Sequence, residues 1–216
     1  MIVVTVSAAY GCGGRMVGVE VARRLGVPFV DEVFEKALAD RLAVSPLEIV
    51  EHERSVDSPL RYLRYYALAA GAFSCPPEPL DDDRTYRSLA DETIRAFAQT
   101  SGVIFGRGAA IVLEDHPQCL HVRLDGPTKS RVRQATEIGG LDRRTARHRE
   151  RQVDHARRTY VRRLYHADIT DPRHFDLLLD ATNLPLATCV ETIVSAARHL
   201  EQAAGAGLAA HRRKAG

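Results

Sequence analysis

The segment Tyr10-Gly-Cys-Gly-Gly-Arg15 is where residue type and spacing in this chain point most directly to chemistry. It follows a β-branched run, Ile2-Val-Val-Thr-Val-Ser7. It precedes an apolar helical face set by Met16, Val17, Val21 and Leu25, with Gly26 as the stop. A glycine-rich turn between a strand and a helix is an anion site. Its backbone N–H groups point inward, the helix N-terminus adds partial positive charge, and glycine allows the positive φ and close approach that a phosphate needs. The usual nucleotide version reads G-x-x-x-x-G-K-[ST]. In one register Ala8, Gly13, Gly14 and Arg15 take the four defining places; in the next, Ala9, Gly14, Arg15 and Met16 do. Both registers lack the first glycine and the Mg²⁺-binding hydroxyl. Arg15 is the nearby cation, and a guanidinium grips phosphate bidentately. The bland alternative is a plain tight strand-to-helix turn.

Such a turn must be held by a sheet, and the rest of the chain supplies one. Val27-Pro-Phe-Val30 reads as a second strand ending on Asp31, Gly102-Val-Ile-Phe-Gly106 as a third, Cys119-Leu-His-Val-Arg-Leu-Asp125 as a fourth and Phe175-Asp-Leu-Leu-Leu-Asp180 as a fifth. Helical patterns lie between them over 85–100, from Thr128 onward, over the basic stretch 142–165, and over 185–201. Ser45-Pro46-Leu47-Glu48 has the form of a capping box, Ser58-Pro59 opens a helix reaching about Gly71, and 74–83 is a loop with paired prolines and three adjacent aspartates. The end, 203–216, is small, basic and expected to fray. Strand–helix alternation predicts a three-layer α/β fold with a parallel sheet covered on both faces.

Composition narrows the classes. A chain of 216 residues, 27% charged and 45% hydrophobic, can bury a full core. Its apolar runs, such as 66–73, fall well short of the roughly 18 residues that span a bilayer, and no basic leader precedes Ile2, so a cytoplasmic protein is expected. Cys12, Cys75, Cys119 and Cys189 show no C-x-x-C spacing and are expected as reduced thiols. The net charge of +2 hides an asymmetry: 1–120 carries 12 Lys/Arg against 17 Asp/Glu, whereas 121–173 carries 14 against 7. Nine arginines fall within 143–163, with only Glu150 and Asp154 as acids. That cluster suits a solvated helix face, a phosphate-binding lid or a nucleic-acid contact. Only Tyr160 and Tyr165 accompany it, so nucleic acid ranks lowest as a partner on sequence grounds. The histidines at 148, 155 and 166 are not spaced as a metal set, and no role is assigned to them.

Taken together, Tyr10-Gly-Cys-Gly-Gly-Arg15 and Leu25-Gly-Val-Pro-Phe-Val-Asp31 resemble the opening of cytidylate kinase-like P-loop proteins, which typically show Y-G-S-G-G-R and then L-G-I-P-F-Y-D. The resemblance continues through Val103-Ile-Phe-Gly-Arg-Gly-Ala109, Cys119–Pro127, Asp154-His-Ala-Arg157, Tyr160, Asp171-Pro172 and the run from Phe175 to Asn183. Residues 40–100 match only as helices. It implies a nucleoside-monophosphate-kinase-like P-loop domain over 1–203, with a five-stranded parallel sheet, a helical insert at about 40–100, a lid at about 139–165 and a flexible tail at 204–216. It also implies ATP as donor, Mg²⁺ as cofactor and a pyrimidine nucleoside monophosphate as acceptor. Carried over residue by residue, Tyr10, Gly11, Cys12, Gly13, Gly14, Arg15 and Met16 would hold the ATP phosphates. Asp31, Arg107, Asp154 and Arg157 would bind the acceptor, with Arg15, Asp31 and Arg157 as the catalytic set and arginines of 143–151 closing over the transferred group.

Three departures qualify this. Gly108 stands where true cytidylate kinases have an aspartate that helps read the base, Ala8-Ala9 replaces a usual Arg-Glu, and the Ser/Thr of the loop is missing, which leaves water or Asp31 to serve Mg²⁺. A nucleotide-binding regulatory module without turnover is therefore the second reading. The apolar run 60–73, with Tyr62, Tyr65 and Tyr66, suits a homodimer surface or a pocket wall.

Overall fold

The computed structural model describes residues 1–31 and 83–205. At its centre lies β1 (Val3–Ala8), whose uninterrupted small and β-branched side chains suit a strand covered on both faces. It pairs in parallel with β3 (Gly102–Phe105) on one side and β4 (Cys119–Asp125) on the other, in register Val3 with Gly102 and with Cys119. β2 (Phe29–Val30) lies outside β3, and β5 (Leu177–Asp180) outside β4. The sheet order is β2-β3-β1-β4-β5, and every pairing is parallel. The expected five-stranded parallel sheet and α/β class are therefore present.

Seven helical segments accompany the sheet among the described residues: α1 (Gly14–Leu25), α2 (Asp83–Phe97), the short α3 (Ala109–Val112), α4 (Thr128–Gly139), α5 (Arg143–Tyr165), a 3₁₀ turn (Pro172–His174) and α6 (Leu186–Gly205). One face is closed by α1 and α6, where Val17, Val21, Ile193 and Val194 pack on Val4, Val6, Val122 and Leu124. The other is closed by α2, α3 and α5, with Tyr86, Ala90, Ile94, Val161 and Leu164 over Val3 and Ile104. Alternation along β1 sends odd and even positions to these two cores. No helix among the described residues is long and apolar enough to cross a membrane.

Element ends differ from the sequence expectation in instructive ways. β2 is shorter, because Pro28 has no N–H to give a ladder and contributes only its carbonyl, to Val103 N at 2.9 Å. α6 runs on to Gly205, past the point where fraying was expected. The short α3 and the 3₁₀ turn carry too few residues to show a period. The expected capping box at 45–48, the helix opening at Ser58, the loop at 74–82, the run 60–73, Cys75 and the tail beyond 205 lie outside the described residues.

Candidate active site

The turn after β1 passes from strand to helix through left-handed glycines. α1 starts at Gly14, with Gly13 at its N-cap in the left-handed region (φ 64°), and Gly11 is left-handed as well (φ 86°). A side chain at Gly11 would place Cβ 2.3 Å from the carbonyl oxygen of Arg131, so the loop is pressed onto the start of α4 and only glycine fits. Three loop amides are already engaged: Ala9 N–H donates to Leu124 O (3.0 Å), Cys12 N–H to Ala9 O (3.3 Å) and Tyr10 N–H to Asp154 Oδ1 (2.8 Å). Val17 is the first α1 residue whose amide closes on the loop, at Gly13 O. The amides of the first α1 turn therefore face outward at the loop mouth, as helix N-termini do.

The Cys12 side chain is fully buried, and that burial pushes its thiol up to about 12, against the opposing charge of Arg131. Cys12 thus supplies backbone and packing, with no thiolate. Met16 is exposed.

On the β3 side of the loop, three residues singled out in the sequence converge. Arg15 Nε donates to Asp31 Oδ2 and Arg107 Nη1 to Asp31 Oδ1, each at 3.1 Å. Asp31 follows β2 and Arg107 follows β3, so the carboxyl ends of neighbouring parallel strands bring them together, where such sheets form their sites. Arg107 is nearly buried and sits at φ 54° between left-handed Gly106 and Gly108. A non-glycine residue in that conformation is strained, and strain of this kind concentrates where a side chain must be aimed.

On the β4 side, Asp154 and Arg157 of α5 reach the loop itself. Arg157 Nη1 donates to Ala8 O at 2.7 Å. Burial draws its guanidinium below the ordinary value while Asp154 opposes the shift, and arginine stays charged regardless. Asp154 spends one oxygen on Tyr10 N–H and the other on Arg131 Nη1 at 2.6 Å. Arg131 also donates to Glu150 Oε1 (3.1 Å), Tyr10 O (3.0 Å) and Gly126 O (2.9 Å). Arg123, buried on β4, donates to Asp125 Oδ2 at 2.6 Å and to Ile169 O at 2.9 Å. Ala8, Ala9, Arg123, Arg131, Asp154, Arg157 and Arg158 are among the residues that line a cavity of about 100 Å³.

Sequence reasoning did not single out Arg123, Arg131 or Glu150 as site residues. Two signals pointed to Arg131 and Glu150. Arg131 falls in the first turn of the helix that opens directly after β4, at the carboxyl edge of the sheet. Glu150 and Asp154 stand four apart, on one face of an otherwise arginine-rich helix, which calls for a cation opposite them.

The cradle suits a polyphosphate: left-handed glycines, a helix N-terminus, and Arg15, Arg107, Arg123 and Arg157 around it. A protein-held Mg²⁺ is not supported by the same residues. Met16 offers no oxygen, Asp31 is shared between two arginines, and the described residues contain no group of three or more His, Cys, Asp or Glu able to hold a metal.

An uncharacterized protein from Eubacterium ventriosum has a similar fold (TM-score 0.66, 20% identity, 92% of this chain and 98% of that one). A gluconokinase from Sinorhizobium meliloti (TM-score 0.49, 16% identity, 92% and 93% covered) and a shikimate kinase from Bacteroides thetaiotaomicron (0.48, 14%, 93% and 98%) are more distantly similar. No curated protein sequence matches the chain. The family model that describes the cytidylate kinase-like family matches residues 3–183, spanning the loop, Asp31, Arg107, Asp154 and Arg157, and the chain belongs to that kinase-like family.

Proposed function

We propose that the chain is an ATP-dependent phosphotransferase that passes a phosphoryl group to a small phosphorylated acceptor, with a pyrimidine nucleoside monophosphate as the first candidate. The observation that carries this reading is the meeting of Arg15 and Arg107 on one carboxylate, Asp31, beside the mouth of a glycine loop. Phosphoryl transfer asks a protein mainly to position two phosphate groups and neutralise their charge. ATP, when bound, supplies the transferable group. Tyr10, Gly11, Cys12, Gly13, Gly14, Arg15 and Met16 would hold its phosphates, chiefly through the first-turn amides and the guanidinium of Arg15. Arg107, Asp154 and Arg157 would orient the acceptor, and Asp31 would keep Arg15 and Arg107 aimed at the gap between the two. Any Mg²⁺ would arrive with the nucleotide. A cytoplasmic setting fits this chemistry.

A second reading, a nucleotide-binding module without turnover, is favoured by Met16 at the hydroxyl position and by the Tyr10 and Cys12 amides already being spent. Calorimetric titration of Mg-ATP into wild type and Arg15→Ala separates these. Saturable heat lost in the variant, followed by stoichiometric product from CMP or dCMP, is the expected result. Binding without product from any ribo- or deoxynucleotide supports the module, and no heat at millimolar nucleotide overturns both.

A further inference from the structure

The candidate active site uses the inner face of α5 and leaves its outer face unexplained. Arg144, His148, Arg151, His155, Arg158 and Arg162 follow one another at steps of three or four residues, and all six are exposed. On an α-helix those steps place one cationic or imidazole group on each successive turn of a single stripe about 27 Å long. Arg147 lies beside the stripe and is exposed too. The sequence shows nine arginines over 143–163; the structure shows where the acids went. Glu150 and Asp154, the acids of α5, both point inward and are buried against Arg131. Among the described residues the carboxylates beside this face stand at the ends of the helix, Asp142 at the N-cap and Asp168 near Arg162.

An ordinary solvated helix face mixes signs, with Glu–Lys or Asp–Arg pairs three or four apart. Here Arg147 with Arg151, and Arg158 with Arg162, are like-charge pairs at that spacing, which disfavour the helix when nothing binds them. A mononucleotide has too few phosphates to engage five turns at once. A polymer of evenly spaced phosphates does, and a straight 27 Å stripe covers about eight steps of a duplex at about 3.4 Å each. The stripe holds arginine and histidine alone, a ladder of charge that answers first to phosphates, and phosphate contacts position a protein without reading sequence.

We propose that the outer face of α5 binds the sugar–phosphate backbone of duplex nucleic acid without regard to base sequence. This surface meets the candidate active site at Arg158, which also lines its cavity, and it gives Arg144, Arg147 and Arg151 a phosphate polymer in place of the transferred group that the family resemblance implies for them; it reverses the low rank that sequence alone gave nucleic acid.

The test is fluorescence anisotropy of a fluorescein-labelled 20-base-pair DNA duplex with the full chain at 50, 100 and 200 mM KCl. Four to five phosphate contacts give a log–log salt slope of about −4. In Arg144→Gln/Arg147→Gln/Arg151→Gln the slope should become shallower by about 2.7, with binding roughly tenfold or more weaker at 50 mM. The matching triple Lys variant should keep the wild-type slope, which separates charge from folding. Arg15→Gln should bind the duplex as wild type does. No binding at 50 mM, an unchanged slope in the Gln variant, or loss of binding in Arg15→Gln would each overturn the proposal. Capture by phosphatidylserine vesicles with no duplex binding would also overturn it, in favour of a membrane surface.

Discussion

Arg131 and Asp154 form the buried contact on which the β4 side of the loop is built: Nη1 meets Oδ2 at 2.6 Å, while the other oxygen of Asp154 holds the amide of Tyr10. One guanidinium thereby joins α4, α5 and the glycine loop, and it faces two carboxylates, Glu150 and Asp154, each only 7% exposed. A buried ion pair adds little net stability against an apolar replacement, but removing one partner strands the other charge.

Arg131→Met should therefore cost about 3–5 kcal/mol, a fall in Tm of roughly 10 °C for a domain of this size. The triple change Arg131→Met/Glu150→Gln/Asp154→Asn should recover part of that loss, since no naked charge is left. Thermal melts of the single and triple variants check both expectations; a single variant within about 2 °C of wild type would show the contact to be dispensable.

Gly108, where the resemblance to true cytidylate kinases implies an aspartate, is pressed against the ring of Tyr165. Gly108 has φ 71°, and a Cβ there would lie 2.6 Å from the Tyr165 ring. The ring is not free to retreat: its hydroxyl donates to Asp91 Oδ1 at 3.0 Å, and the side chain packs in the core beside Tyr160. Burial raises the Asp91 carboxyl above its ordinary range, with that hydroxyl opposing the shift. Gly108→Ala and Gly108→Asp should both destabilise by about 1–3 kcal/mol through backbone strain, and by more where the ring must shift. Adding Tyr165→Ala should leave the strain and remove the clash, giving a favourable coupling above about 0.5 kcal/mol in a double-mutant cycle. Gly108→Asp as stable as wild type would mean that the position is open to a carboxylate after all.

The sequence carried the sheet because periodicity reports burial directly. Each of the five strands was visible as a short apolar or alternating run, and the glycine turn was visible as a break between two periods. Arg15, Asp31 and Arg107 were legible for a related reason, since each follows a strand that the sheet aligns. The clamp around Arg131 was not, because its partners lie 23 residues on in α5 and 121 residues back in the loop. No local pattern encodes which turn of α5 faces α4. The same holds for the arginine stripe, where composition gave the charge but only the packed helix shows which residues are turned inward.

The cap of α5 decides how well that helix is held, and it offers a pH test with a definite sign. Asp142 accepts from the amides of Arg144 (2.9 Å) and Thr145 (3.0 Å) and from the Thr145 hydroxyl. The Thr145 hydroxyl and amide, with the Arg144 amide, hold the carboxyl below its ordinary range. A carboxyl depressed on folding contributes stability that is fully present above its unfolded value of about 3.9 and is lost as pH falls through the lower folded value. Amide protons of the first α5 turn should therefore keep their exchange protection from pH 7 down to about 4.5 and lose it progressively at lower pH. Asp142→Asn should show no such step, because the amide side chain caps without titrating. Asp142→Ala should exchange several-fold faster in that turn at every pH, with the amides around Asp154 unaffected. Hydrogen exchange read by mass spectrometry on the peptide over 141–149 makes the comparison. An Asp142→Ala peptide as protected as wild type at pH 7 would mean that packing of Ala146 against α4 fixes the helix start without the cap.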